Sequence, residues 1–201
     1  MPDSLTPPAP GLRVLLDRAS VPPKTMREPA PSPADLETAV SAALRAPDHG
    51  GLRPWRFVFV EGAARHALGD LFVASALRRA PDTPPEHLEI ERAKPLRAPL
   101  VVVAGASIRY DRPGVPPWEQ EASAAAGAMN FLNAIDAMGY AAFWASSETL
   151  RDPVAKVALG FRETDTMLGW IYVGTAPADR PHPQRPGPEG FYRHWQPGPG
   201  A

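Results

Sequence analysis

The sequence carries none of the short motifs that mark the common catalytic centres. It lacks the metalloprotease pattern HExxH, the nucleophile elbow GxSxG, the Walker phosphate loop and the dinucleotide pattern GxGxxG. The five histidines do not have the spacing of metal ligands, and the absence of cysteine excludes disulfides, thiolate metal sites and a cysteine nucleophile. Glu119 and Glu121 lie two apart on a predicted helix and do not face each other, so we interpret them as solvated or helix N-terminal charges. We expect no catalytic side chain and no metal.

Polar residues instead occupy loops and helix ends beside the predicted strands. They are Arg18 and Ser20 at the end of the first helix, Arg45 and His49 around a proline-containing loop, and Arg53 before Pro-Trp. Arginine forks suit phosphate oxygens and the polar edges of rings, which makes these residues candidates for holding an anionic cofactor. The chain is rich in arginine, and scattered arginines are more often surface residues, so these positions alone are a weak signal.

Hydrophobic periodicity and turn residues predict the helices and strands that must position these polar residues. Ser32 is a natural N-cap with Pro33 at the first helical position, and that helix ends near Arg45. A long helix is predicted from Trp118 to Met138, with Gly139 as its C′ residue. Four buried strands are predicted at 55–60, 98–104, 140–144 and 167–173. Further helices are predicted near 12–16 and at 62–79, 86–96 and 149–159.

Composition narrows the class of protein. A chain of 201 residues, 44% of them hydrophobic, is long enough for one globular domain with a proper core. The net charge of −1 excludes a polycationic nucleic-acid binder. No apolar run approaches the ~18 residues of a membrane span, and MPDSLTPPAPG lacks the regions of a secretory signal. We expect a soluble, cytoplasmic protein with neither a nucleic-acid nor a membrane partner.

The proline-rich C-terminal tail ends in three aromatic residues, Phe191, Tyr192 and Trp195. Such side chains are poor choices for a solvated end, so we expect the tail to pack on something. It either reaches a second subunit or caps the core of its own chain.

Three segments, in order, resemble one family. They are RAPDHGGLRPWRFVFVEG, VPPWEQEASAAAGAMNFLNAIDAMGYAAFWASSETL and GWIYVGTAP, to which LLDRAS, EPAP and the aromatic C-terminal end can be added. The chain resembles the FMN-dependent nitroreductase family, in its short single-domain bacterial NAD(P)H nitroreductase branch. The resemblance implies one FMN-binding domain over 11–196, with 1–10 and 197–201 as flexible ends. It also implies an α+β fold with a central, mostly antiparallel sheet wrapped by helices.

The resemblance further implies a homodimer with two FMN sites at its interface and a C-terminal tail extended over the partner. The small side chains of residues 122–128 then have two explanations. They let the long helix pack closely across the dimer, or they pack it tightly within one subunit.

The resemblance assigns the cofactor-binding residues. Arg18, Ala19 and Ser20 lie on the segment that holds the FMN phosphate and ribityl region. Arg45 and His49 match flavin contacts at the start of the APDH loop, an element expected to serve the partner's site.

Two further stretches complete the implied site. Trp144, Ala145 and Ser146 lie on the segment that passes the redox edge of the flavin. Ala134, on the long helix, aligns with a position linked to the nicotinamide nucleotide.

Three positions depart from the branch. It usually has Arg-Arg-Ser at Arg18-Ala19-Ser20, Trp-Arg-Ser at Trp144-Ala145-Ser146, and Gln-Pro-Trp at Arg53-Pro54-Trp55. Two arginines are therefore missing beside an anionic cofactor and one is gained. A charge-assisted hydrogen bond contributes about 1.5–3 kcal/mol, so each loss could weaken FMN binding by one or two decades.

The implied reaction passes hydride from NAD(P)H through flavin N5 to a nitroaromatic, quinone or similar electron-poor small molecule in a ping-pong cycle. Because the cofactor carries the difficult step, no catalytic triad is needed. The sequence shows no recognisable pocket for the 2′-phosphate of NADPH, so NADH and NADPH both stay open as the electron donor. Two alternatives stay open: a specialised reductive use of FMN, such as dehalogenation, and a flavin-poor binding protein, which Ala19 and Ala145 would suit.

Overall fold

A computed structural model of the chain describes residues 9–180 and 183–198. Within these ranges the helices are α1 (Pro10–Asp17), α2 (Pro33–Ala43), α3 (Ala64–Arg79), α4 (Pro85–Ala93), α5 (Pro117–Ala137) and α6 (Pro153–Ala158). The strands are β1 (Trp55–Glu61), β2 (Leu100–Ala106), β3 (Tyr140–Ala145) and β4 (Thr166–Thr175). The expected flexible ends fall mostly outside the described residues.

The predicted boundaries of α2 and α5 are confirmed, and the atoms that set them are visible. The Ser32 side chain accepts from the Asp35 amide at 3.2 Å, and the Asp35 carboxylate accepts from the Ser32 amide at 3.1 Å, which forms a capping box. At the other helix, Gly139 follows the C-cap with φ +88°, a left-handed conformation that glycine adopts without steric penalty.

The single helix predicted over 149–159 is wrong. A 3-10 turn, Glu148–Arg151, comes first and α6 then begins at Pro153. Proline disfavours a helical conformation for the residue before it, and Asp152 is extended, with φ −74° and ψ 115°. The Asp152 carboxylate accepts from the amides of Val154 and Ala155, so it caps a new helix instead of continuing the old one.

The four strands form one antiparallel sheet in the order β1-β2-β4-β3. Trp55 pairs with Ala106, and Ala106 pairs with Thr166, so β1 and β4 begin where β2 ends. The last residue of β3, Ala145, pairs with Trp170 and approaches the same end. We call this the Trp55 end of the sheet. The predicted α+β fold with an antiparallel sheet is confirmed.

Helices cover both faces of the sheet. Alternate residues of β2 face opposite sides: Val101 and Val103 join the cluster that contains Phe72 of α3, whereas Leu100 and Val102 join the cluster that contains Phe131 of α5. All seven residues of β2 are consequently buried, which explains its continuous apolar run. The sheet with its two helical layers is the rigid frame for the loops at the Trp55 end.

The small residues of α5 allow close packing within the subunit. A Cβ added to Gly127 would lie 2.5 Å from the Trp55 ring and 3.2 Å from the carbonyl oxygen of Ala43. The Trp55 indole donates to the carbonyl of Ser123 at 3.0 Å. The intramolecular explanation therefore holds for the buried face of α5, while Ala122 lies exposed on the other side.

The C-terminal aromatic residues do not cap the core of their own chain. Phe191, Tyr192 and Trp195 are 76%, 68% and 77% exposed. That alternative is wrong for a single subunit, and contact with a second subunit stays a prediction.

Candidate cofactor site

The segment that contains Arg18, Ala19 and Ser20 lies against the outer edge of the sheet. Directly after it, the amide of Val21 donates to the carbonyl of Ala142 at 3.1 Å. Further along, Arg27 forms a bridge with Thr175, close to the beginning of β3. From Arg27 back to Val21, the chain passes from the last residue of β4 to the middle of β3. The residue after Ser20 thus meets β3 two positions before Trp144, the first residue of the second predicted stretch.

Burial alternates along this segment. Ala19 and Val21 are buried, whereas Arg18 is half-buried and Ser20 is exposed. In extended backbone, alternate side chains point to opposite sides. The apolar pair anchors the segment to the core, and the side chains of Arg18 and Ser20 lie on the other side, where they are accessible.

The end of β3 is held by two indoles. The Trp144 Nε1–H donates to the Leu168 carbonyl at 3.3 Å, and a Cβ on Gly169 would overlap the Trp144 ring. The Trp170 Nε1–H donates to Ser147 Oγ at 2.9 Å. Ser146 lies exposed between them and borders a cavity of about 460 Å³. This stretch therefore has anchored side chains at Trp144 and Ser147 and an open side at Ser146.

Arg45 and His49 lie on the loop that leads into β1. The Asp48 carboxylate shapes this loop by accepting from the amides of Leu52 at 3.1 Å and Arg53 at 2.8 Å. Arg53 has φ +52°, a left-handed conformation that is unfavourable for a residue with a side chain. Both Arg45 and His49 are exposed, as contacts to a cofactor or a partner require.

Glu119 lies in the first turn of α5, as the interpretation of a helix N-terminal charge expects, but both Glu119 and Glu121 also have side-chain partners. His49 Nδ1 lies 2.6 Å from Glu119 Oε2, 70 residues away along the chain. Glu121 accepts from the Thr166 hydroxyl at 2.7 Å. The two carboxylates lie on different faces of α5, as their spacing predicts, and each positions a different loop.

The loop after β2, residues 107–116, is fixed by Gln120, which the sequence reasoning missed. The side chain of Gln120 is buried, accepts from the Arg109 amide, and donates to the carbonyls of Arg109 and Val115. A polar residue three positions before Ser123 on the inward face of a predicted helix is the signal that could have identified it.

Asp165 is the second anchor of this loop and was also missed. Its carboxylate accepts from the Ile108 amide and from the backbone and side chain of Arg162, at 2.7–3.1 Å. Burial alone would raise the pKa of Asp165, but these donors outweigh it and lower the pKa below the ordinary value. No local pattern signals this role, because Ile108 is 57 residues away.

Ala134 lies apart from the other residues predicted to bind the cofactor. It is half-buried and packs against the core cluster between the sheet, α2 and α5. It presents only a methyl group, and its proposed link to the nicotinamide nucleotide stays a prediction.

Residues 9–180 and 183–198 contain no group of three or more His, Asp or Glu side chains that could hold a metal ion. None of their helices is long and apolar enough to cross a membrane.

The fold and the polar residues along β3 define an α+β protein with a candidate site for an anionic cofactor. The sequence profile of the Nitroreductase family matches residues 16–175, and the chain belongs to this family. The family expected from the sequence segments is confirmed, and with it a nitroreductase-type oxidoreductase.

Two relatives are similar over most of the chain. One is the Escherichia coli K12 protein named "Putative NAD(P)H nitroreductase YdjA", 34% identical over 164 residues, which cover 82% of this chain and 87% of that protein. The other is a Haemophilus influenzae protein named "Putative NAD(P)H nitroreductase", 32% identical over 152 residues, which cover 76% of this chain and 82% of that protein.

Solved structures agree on the fold. A nitroreductase-like family protein from Bacillus cereus has a TM-score of 0.76 at 18% identity and covers 96% of this chain and 100% of its own. A nitroreductase with bound FMN from Bacteroides fragilis has a TM-score of 0.69 at 17% identity, with 94% and 100% covered. The Mycobacterium smegmatis FMN-dependent nitroreductase NfnB, in complex with NADPH, has a TM-score of 0.69 at 17% identity, with 92% and 97% covered.

Proposed function

We propose that the protein is an FMN-dependent NAD(P)H oxidoreductase that reduces nitroaromatics, quinones or similar electron-poor small molecules in a ping-pong cycle. Membership of the nitroreductase family supports the reaction class. The structures with bound FMN and with NADPH support the cofactor and the electron donor. The observation that carries the proposal for this chain is that the segment of Arg18 and Ser20 leads directly into the Val21 hydrogen bond to Ala142 of the edge strand β3.

The donor set at this edge fits FMN. Arg18 offers a guanidinium fork and Ser20 a hydroxyl for the phosphate and ribityl oxygens. The backbone around Ser146, held by the Trp144 and Trp170 hydrogen bonds, would border the ring system. Ala19 is buried and carries no polar atom, so Arg18 is the side-chain cation on this segment.

Bound FMN would supply the redox chemistry between the nicotinamide and the acceptor. The chain's own residues bind and orient it. Arg18 would balance the phosphate charge, and firmly held backbone at Ser146 would keep the ring edge in one position. His49, fixed by Glu119, would supply an imidazole at the edge of the site.

We further propose that the active form is a homodimer whose tail covers the partner. Leu12, Leu15 and Leu16 of α1 are 52%, 54% and 64% exposed in one subunit, and the tail aromatics are more exposed still. Soluble monomers rarely expose contiguous apolar patches of large area. Burying these side chains between two copies removes them from water and would bring Arg45 and His49 to the partner's site.

The test is the visible absorbance spectrum of the purified protein after FMN is added and free FMN is removed by gel filtration. A retained flavin spectrum that bleaches with NADPH or NADH under nitrogen, and recovers with a nitroaromatic, is the expected result. A colourless protein that retains no FMN refutes the enzyme and indicates the flavin-poor binding protein. Sedimentation of the same sample measures the dimer, and a panel that includes haloaromatics separates dehalogenation from nitro reduction.

A further inference from the structure

Of the residues that line the cavity of about 460 Å³ at the end of β3, only Ser146 belongs to the segments proposed to bind FMN. It lies beyond the end of β3, between the 3-10 turn Glu148–Arg151, Lys156 of α6 and the first residues of β4. Its volume falls in the range of about 300–1,000 Å³ that small-molecule sites occupy. Because Ser146 borders it, a molecule that stacks at the ring edge of the cofactor could extend a substituent into this space.

The cavity carries one uncompensated positive charge. Arg151 Nη1 contacts both carboxylate oxygens of Glu148 at 2.9 Å, so these two lining residues neutralise each other. The Lys156 ammonium instead donates to the backbone carbonyl of Glu163 at 3.2 Å. A neutral carbonyl orients the ammonium without cancelling its charge, and among the described residues Lys156 has no carboxylate partner within 4 Å.

Hydroxyl donors face the same space. Ser147 Oγ already accepts from Trp170, so its own proton is available to another acceptor. Ser146 is exposed at the rim. An ammonium with two hydroxyls forms the donor set for one carboxylate.

We propose that this cavity binds the carboxylate of the electron acceptor, so that the preferred acceptors are nitroaromatics or quinones that carry a carboxylate, held by Lys156. This inference rests on the proposed function and names its substrate class. Lys156 is a specificity-determining residue, because it binds the carboxylate of the acceptor and takes no part in electron transfer.

The experiment measures steady-state kinetics of the FMN-loaded protein with two acceptors of the same ring size, 4-nitrobenzoate and the uncharged 4-nitrobenzyl alcohol. Lys156→Gln removes the charge, Lys156→Arg keeps it, and Lys24→Gln is the control at an exposed lysine outside the cavity. For Lys156→Gln we expect KM for 4-nitrobenzoate to rise about tenfold, or about 1.4 kcal/mol. KM for the alcohol and for NAD(P)H should change less than twofold.

Lys156→Arg should stay close to wild type, which separates loss of charge from loss of fold. The inference is overturned if Lys156→Gln raises KM for both acceptors equally, leaves both unchanged, or acts on the nicotinamide nucleotide instead. If neither acceptor is reduced, the proposed function fails on its own. Calorimetric binding of 4-nitrobenzoate to wild type and Lys156→Gln then still decides: equal affinity, or no binding to either, overturns the inference.

Discussion

Asp165→Asn is expected to destabilise the loop that follows β2 and, through it, the whole domain. The Asp165 side chain is 5% exposed, and both of its oxygens are used. Oδ1 accepts from the Ile108 amide at 3.1 Å and from two nitrogens of Arg162, while Oδ2 accepts from the Arg162 amide at 2.9 Å. An asparagine retains one acceptor oxygen and turns an amino group toward an N–H that also donates.

The expected loss of stability depends on which groups water can solvate once the Asp165 carboxylate is removed. Removing one partner of a fully buried ion pair costs about 3–5 kcal/mol. The side chain of Arg162 is 57% exposed, so water can solvate its charge once the carboxylate is gone. Water cannot solvate the buried Ile108 amide and the Arg162 backbone in the same way. We therefore expect a loss of about 2–3 kcal/mol, the range of one or two hydrogen bonds to a charged group.

Urea denaturation of wild type, Asp165→Asn and a matched control, Asp111→Asn, measures this loss. Asp111 contacts Arg109 at 3.0 Å on the same loop, but its side chain is 66% exposed, and its replacement should change stability little. The pKa of Asp165 is lowered in the folded state. Its stabilisation is therefore complete above the unfolded pKa of about 3.9 and is lost as pH falls through the lower folded value.

The difference between wild type and Asp165→Asn should accordingly be full at neutral pH and shrink in acid below the unfolded pKa. The reasoning is refuted if Asp165→Asn is as stable as Asp111→Asn at neutral pH. It is also refuted if the difference persists undiminished when the carboxylate of the wild type is protonated.

Three other changes have defined outcomes. Gly127→Ala should destabilise the fold by about 1–3 kcal/mol in urea, because the new methyl group meets the Trp55 ring; unchanged stability would contradict the close packing. Arg18→Ala should weaken FMN binding about tenfold or more in a fluorescence titration, while Arg13→Ala, on the exposed side of α1, should not; equal affinities would remove Arg18 from the site. Deleting residues 186–201 should shift sedimentation toward the monomer, and an unaltered profile and melting temperature would refute the proposal that the tail covers the partner.

Much of the fold could be predicted because its signals are local. Ser32 and Pro33 mark a helix start with atoms only a few residues apart, and Gly139 marks a helix end by its own conformational freedom. The continuous apolar run of β2 indicates a strand covered on both faces. The prediction over 149–159 failed where two local signals compete: the apolar spacing favours one helix, but Pro153 and the Asp152 cap divide it.

The candidate site likewise has one part that the sequence could predict and one part that it could not. The segments around Arg18 and Trp144 are similar to those of a known family, so the sequence sufficed to name them. Their position along one edge of the sheet depends on the strand order, in which β3 comes last and offers a free edge to the N-terminal segment. This strand order cannot be predicted from the spacing of residues along the chain.

By itself, then, the sequence determined the elements, the family and the segments that matter, since these follow from residues that are neighbours in the chain or match a known pattern. Only the tertiary structure decided the partners of His49 and Asp165, which lie 70 and 57 residues away. It also decided which charge in the cavity near Ser146 is left uncompensated, that of Lys156. Hydrogen bonds between distant residues depend on how strands pair and helices stack, and that arrangement is not contained in the local sequence.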